Sequence, residues 1–160
     1  MFNNSYHQRE QLITLVEEIK NLLIAQGVQS KDHSDPFSGC MYRAVVNNCT
    51  VKCAAGHKIS DEAYTPDLEN KTVDLKMVQD ALVQSGVPHW QLPVIYQCQV
   101  IHDYIEPEHW RGAFEALIAQ IKYGHENIIF KLKDDVFQPD LKTIHTLAPG
   151  AQDPDYNSED

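Results

Sequence analysis

The chain has 160 residues, 42% hydrophobic and 22% charged, which fits a single domain able to bury roughly two-thirds of its unfolded surface. No apolar run reaches the ~20 residues a membrane span needs. The formal charge is −10, and nucleic-acid binding, which needs a basic face, is disfavoured.

The acidity is concentrated at one end. Residues 134–160 hold seven acidic side chains against one lysine, Lys142, and read as a mobile, largely irregular acidic tail. Residues 1–133 read as one globular domain. A folded mimic of DNA is also disfavoured, because a mimic holds its carboxylates in an ordered array. The opening MFNNSYHQREQ lacks the charged-then-apolar pattern of a signal peptide, so a cytoplasmic location and reduced thiols are expected for the four cysteines.

In chain order, Ser5 and Gln8 have capping-box spacing, and Leu12, Leu15, Val16, Ile19, Leu22 and Leu23 form one apolar stripe. A helix over 6–26 follows, closed by Gly27. Residues 28–39 are polar with Pro36 and Gly39 and read as a loop, in which His33 is a solvated histidine. Two short runs, 41–46 and 49–54, flank Asn47-Asn48, and asparagine tolerates the positive φ of a tight turn, so a β-hairpin is expected. Gly56 marks a break or a close backbone approach, Ser60 caps a short turn, and Pro66 suits the first position of another.

Thr72 or Asp74 caps a second helix with Leu75, Val78, Ala81 and Leu82 on its stripe, ended by Gly86. Pro93 opens a third helix with Val94, Ile95, Cys98, Ile101, His102 and Ile105 inward. Beyond Glu106-Pro107, a fourth carries Trp110, Ala113, Phe114, Leu117, Ile118 and Ile121 inward and closes at Gly124. Residues 127–132 fit either a strand beside the hairpin or a helical extension. The expected fold class is α+β, with about four helices packed around a small antiparallel hairpin.

The stretch Cys40–Glu69 gathers the chemistry. Cys40, Cys53, His57 and His102 are candidate zinc ligands, but Cys40-x12-Cys53-x3-His57 is no standard zinc spacing and no CxxC is present. Cys49 and Cys53, four apart, would share one strand face, while Cys53 and Cys98 suit small buried positions. Asp61, Glu62, Asp67, Glu69, His102 and Asp103 are candidates for a hard-metal or acid–base cluster. Cys53 with His57 or His102 is the candidate thiolate and base. The preferred reading is plainer. A polar network of Arg43, His57, Asp61, Glu62, Tyr64, Glu69, His102 and Asp103 holds an irregular segment on the helices, with Arg43 bidentate to a carboxylate and His102 donating to a carbonyl or carboxylate of the central stretch, for instance around Asp61 or Glu69. No cofactor is predicted, and no phosphate loop or dinucleotide fingerprint surrounds Gly56.

Cys40-x-Tyr42-Arg43, then Lys52-Cys53-Ala54-Ala55-Gly56-His57-x-Ile59-Ser60-Asp61-Glu62-x-Tyr64-x-Pro66-x-Leu68-Glu69, resembles a family of small uncharacterised bacteriophage and prophage proteins. Those carry CxYR, KCAVG[CH]LIPDExYxPxxEG, a helix with Gln-x-x-His-Asp, and a helix opened by tryptophan. Gln99, His102 and Asp103 match the third element and Trp110 the fourth. Ser60 stands where the family has proline, Asn70 where it has glycine, and Lys58 where it has an aliphatic residue. The resemblance implies origin as a phage accessory gene and a shared local structure around these motifs. It carries no activity. The function favoured on that origin is a non-enzymatic protein of the infected bacterium's cytoplasm that binds and modulates a host protein, inhibition of host machinery or defence included. The alternative from a different class is a metal-dependent hydrolase or nucleotide-handling protein using Cys40–Glu69 with His102. Oligomeric state is not legible.

Overall fold

The computed structural model describes residues 3–123, together with two short strands at 132–133 and 136–137. Among the described residues, four α-helices and a two-stranded antiparallel hairpin make an α+β architecture: α1 Asn3–Gln26, β1 Arg43–Val46, β2 Cys49–Lys52, α2 Lys76–Gln84, α3 Leu92–Tyr104 and α4 Trp110–Tyr123. Single 3₁₀ turns sit at Gly56–Lys58, Pro66–Leu68, His89–Gln91 and Pro107–His109. The expected acidic tail, the closing role of Gly124 and the reading of 127–131 lie outside the described residues. Strand β3, Leu132–Lys133, pairs with β4, Val136–Phe137, and not with the hairpin.

Helix α1 packs chiefly on α4 and also on α3. Its stripe of Leu12, Leu15, Val16, Ile19 and Leu23 is buried, whereas Leu22 stays 39% exposed. The helix starts at Asn3, ahead of the Ser5 cap expected from the sequence. At its other end Gly27 takes φ +74° and returns its N–H to the Leu23 carbonyl, a left-handed closure glycine adopts without strain.

Helix α3 is buried nearly all round: Gln97 and Val100 are covered as well as the expected stripe. An amphipathic pattern predicts one covered face, so the second cover comes from elsewhere in the chain. It is the segment between the hairpin and α2, with the loop before the hairpin. From α4, Trp110 lies fully buried, donates its indole N–H to the Ile105 carbonyl at 2.9 Å, and stacks on the His102 ring at 5.5 Å. Fully burying side chains such as Phe114, Leu117 or Ile101 contributes roughly 1.5–3 kcal/mol each, so the helical core dominates the stability.

The hairpin forms at the expected turn, with strands shorter than the expected 41–46 and 49–54. Asn47 and Asn48 have φ of 51° and 62°, the signs of a two-residue I′ turn, and Val46 faces Cys49. Ala44 and Val51 point inward and are buried, while Val45 on the opposite face is 70% exposed.

Helix α2 departs from expectation. Thr72 donates its hydroxyl to Asp74 rather than to the helix, and α2 begins later, at Lys76, with Leu75 before it and no side-chain cap. Leu75 is 45% exposed instead of lying on the buried stripe.

Asn70 explains one departure from the resembling pattern. It holds φ +64°, the left-handed region where glycine is unstrained and asparagine tolerated. Asn70→Gly is expected to change stability by less than about 1 kcal/mol, and Asn70→Val to cost roughly 1–2 kcal/mol. Urea titrations of both variants check this, and equal stabilities would refute the backbone assignment.

Candidate functional site

Three hydrogen-bonded clusters organise Cys40–Glu69: one joins it to α3, one closes the stretch on itself, and one joins it to α1. The first is built on α3. Gln99 and Asp103 are four residues apart on one helix face, and Gln99 Nε2 donates to Asp103 Oδ1 at 2.7 Å. Gln99 Oε1 accepts the Ala55 N–H at 2.9 Å. The His102 ring spans the next step: Nδ1 donates to Asp103 Oδ1 at 2.7 Å, and Nε2 accepts the Ser30 N–H at 3.0 Å. Gln29 Nε2 donates to the carbonyl oxygens of His102 and Asp103, satisfying acceptors that the last helical turn leaves open. The Cys40 sulfur lies within 4.8 Å of the Asp103 carboxylate. Gln29, Ser30 and His102 are all buried, the last two completely.

The second cluster closes the outer edge of β1. Glu69 accepts the Tyr42 and Arg43 N–H groups at 3.0 and 3.1 Å and the Tyr64 hydroxyl at 2.9 Å. Arg43 stacks its guanidinium over the Tyr64 ring at 4.2 Å, donates to the Ile59 carbonyl and meets Asp61 at 2.8 Å through one nitrogen. The bidentate pairing expected of Arg43 is therefore absent. Its carboxylate partner is 84% exposed, which limits the pair to about 1 kcal/mol or less. Glu62 is exposed, away from these contacts. Ser60 caps its turn through Ala63, and its own N–H donates to Ser85 Oγ at 2.9 Å. A proline at position 60 would have no such donor.

The third cluster closes the edge of β2. Gln26, the last residue of α1, donates to the Lys52 carbonyl and accepts the Lys52 N–H, both at 2.9 Å, as a neighbouring strand would. His57 Nε2 lies 3.1 Å from Gln26 Oε1. Because that oxygen is an acceptor, His57 donates through Nε2. With β1 held by Glu69 and β2 by Gln26, a hairpin too small to protect its own edges gains two side-chain caps.

Burial drives the His57 pKa down to about 4 from 6.5. The native state then binds fewer protons than the unfolded chain below pH 6.5. Stability is full above that pH and falls as pH drops through the window towards 4. Urea unfolding at pH 7.0 and 5.5 is expected to show a loss that His57→Gln, which keeps a donor for Gln26, reduces. Parallel pH slopes for the two proteins would exclude His57 as the source.

These placements separate groups that sequence reasoning had joined. His102 reaches neither Asp61 nor Glu69, and the expected single network is three clusters. Cys49 is exposed and Cys53 buried, so the two do not share a face: β2 ends at Lys52, before Cys53. His33 is exposed as expected, yet its Nε2 lies 2.9 Å from the Gln29 carbonyl. Gln26, Gln29 and Ser30 were missed, and nothing in their polar surroundings marks them. Gln99 was visible within the Gln-x-x-His-Asp motif.

Among the described residues, one group of metal-ligand type converges: the ligand atoms of Cys40, His102 and Asp103 lie within 4.8 Å of one another. Cys53 and His57 are not part of it. A cation bound at His102 Nδ1 needs that nitrogen's lone pair, which moves the ring proton to Nε2. Nε2 would then face the Ser30 N–H, donor against donor, in a buried place where no water can intervene. The Ser30 N–H thus fixes the tautomer that donates to Asp103, and the trio does not fit zinc as it stands.

Nucleophilic chemistry is poorly served as well. Burial, reinforced by the Asp103 carboxylate, pushes the Cys40 thiol up to about 12. Burial also raises Cys53, whose sulfur accepts the Gly56 N–H, and Cys98. A thiol must ionise to attack, and both nitrogens of His102 are already engaged. Comparison with protein-family models, curated proteins and solved structures finds no match for the chain. Among the described residues, no helix is long and apolar enough to cross a membrane.

Proposed function

We propose that the chain is a non-enzymatic phage accessory protein that binds and modulates a host protein in the bacterial cytoplasm. One observation carries the non-enzymatic part: the polar groups of the motifs are engaged in holding the fold. Glu69 accepts three internal donors, His102 uses both nitrogens, and Asp103 accepts from Gln99 and His102. A catalytic site needs groups free to meet substrate and pKa values matched to their task. The buried thiols are displaced away from reactivity. The phage origin rests on the resemblance at Cys40–Glu69, Gln99–Asp103 and Trp110, and the negative charge supports a protein partner over a nucleic acid.

The test is affinity purification of the tagged chain from bacterial host lysate, alongside nucleotide and phosphodiester hydrolysis assays on the purified protein. A stoichiometric host protein and no turnover are expected. Turnover that disappears in Glu69→Gln or His102→Asn would overturn the reading in favour of the hydrolase.

A further inference from the structure

The first cluster has a second consequence, at the loop it anchors. Residues 32–39 leave the body and return at a backbone bridge between Lys31 and Cys40, with the Met41 N–H on the Ser30 carbonyl at 2.6 Å. One foot is held from α3, Ser30 by His102, and the other, Cys40, sits with its sulfur within 4.8 Å of the Asp103 carboxylate. The loop is also braced internally. Asp32 Oδ1 accepts the Ser34 N–H and hydroxyl, Ser38 Oγ accepts the Asp32 N–H, and Asp35 Oδ1 accepts the Phe37 N–H at 2.9 Å. At its tip Phe37 is 94% exposed.

A single exposed apolar residue is ordinary on a protein surface. Here the ring is almost wholly in water, and the loop beneath it is braced by four internal side-chain hydrogen bonds and closed at its base by the Lys31–Cys40 bridge. A rigid aromatic with its ordering already complete is the arrangement of an interface anchor. The charge beside it selects the partner. Asp32 and Asp35 flank the tip, and the hydrogen bonds from Ser34 hold the Asp32 carboxyl below its ordinary pKa, so it is ionised.

We infer that the 32–39 loop is the docking element of this protein, inserting Phe37 into an apolar pocket of a partner protein rimmed by lysine or arginine. This deepens the proposed function and rests on it: it names the surface and the chemistry of the host partner. The cluster of buried His102, Gln29 and Ser30 with half-buried Asp103 then serves as the base of the docking loop.

The experiment places a photo-crosslinking benzophenone side chain at position 37 of the full chain and irradiates it in bacterial host lysate. The protein captured is purified and titrated against the parent chain, Phe37→Ser, Asp35→Asn and, on the exposed surface of α2, Val83→Ser. Phe37→Ser is expected to bind roughly 30-fold more weakly. Asp35→Asn keeps the acceptor for the Phe37 N–H and loses only charge, so a weakening of about 2–5-fold that fades at high salt is expected. Val83→Ser should bind as the parent does, and all variants should melt like it.

Phe37→Ser binding within twofold of the parent overturns the inference, as does crosslinking only to a second copy of the chain. If position 37 captures nothing while the tagged chain still retains a host protein, the docking loop falls and host binding stands. If neither captures anything, both fall.

Discussion

Gly56→Ala is expected to destabilise the protein by roughly 3 kcal/mol or more, with a fall in Tm of about 10 °C. A Cβ at this position would lie 2.1 Å from the Tyr42 carbonyl oxygen and 3.0 Å from its carbon. Tyr42 has no room to retreat. Its N–H is held by Glu69, its hydroxyl by the Lys71 carbonyl, and its side chain is buried. Gly56 is not among the residues with positive φ. The requirement is therefore steric, and the substitution would otherwise stabilise by about 0.4–1 kcal/mol through the unfolded chain. The clash is the larger effect, so the sign is destabilising. Urea unfolding of the purified variant decides it, and a loss under 1 kcal/mol would show that the β1 backbone can move away from the Gly56 turn.

His102→Ala should be comparably severe, on the order of 4 kcal/mol. It leaves the buried Ser30 N–H without an acceptor, which costs about 1–3 kcal/mol, and opens a cavity against Trp110, which costs about 2 kcal/mol more. Asp103→Ala is expected to cost less, roughly 1–2 kcal/mol, because the Asp103 side chain is 28% exposed and water can replace part of what it accepts. The double variant should be less destabilised than the sum, with a coupling of about 1–2 kcal/mol. Hydrogen exchange gives a local readout: the Ser30 amide should lose protection in His102→Ala before α1 and α4 do. Strict additivity of the two substitutions would mean that they do not act as one unit.

These two residues show what was readable beforehand. Gly56 in Lys52-Cys53-Ala54-Ala55-Gly56-His57 could be read as a break or a close backbone approach, and the structure selects the second. Its neighbour, Tyr42, could not be named, since fourteen positions and a hairpin separate them. His102 was legible as an inward-facing histidine on the α3 stripe. Its expected partners, Asp61 and Glu69, were wrong because the loop before the hairpin reaches α3 first, through Ser30. Polar residues such as Gln29 and Ser30 carry no periodicity that predicts burial.

By itself the sequence determined the elements that depend on neighbours within a few positions. The apolar stripes of α1, α3 and α4, the asparagine pair of the hairpin turn and the closing Gly27 are local matters of period and backbone freedom. The α+β composition follows from them. Tertiary structure alone decided where the polar groups end: Gln26 beside β2, Glu69 beside β1, and His102 beneath the loop that carries Phe37. Those contacts join residues 26, 27 and 72 positions apart. A hydrogen bond across such a separation leaves no mark in local sequence, because donor and acceptor need only meet in space, and the packing of the helices sets that meeting.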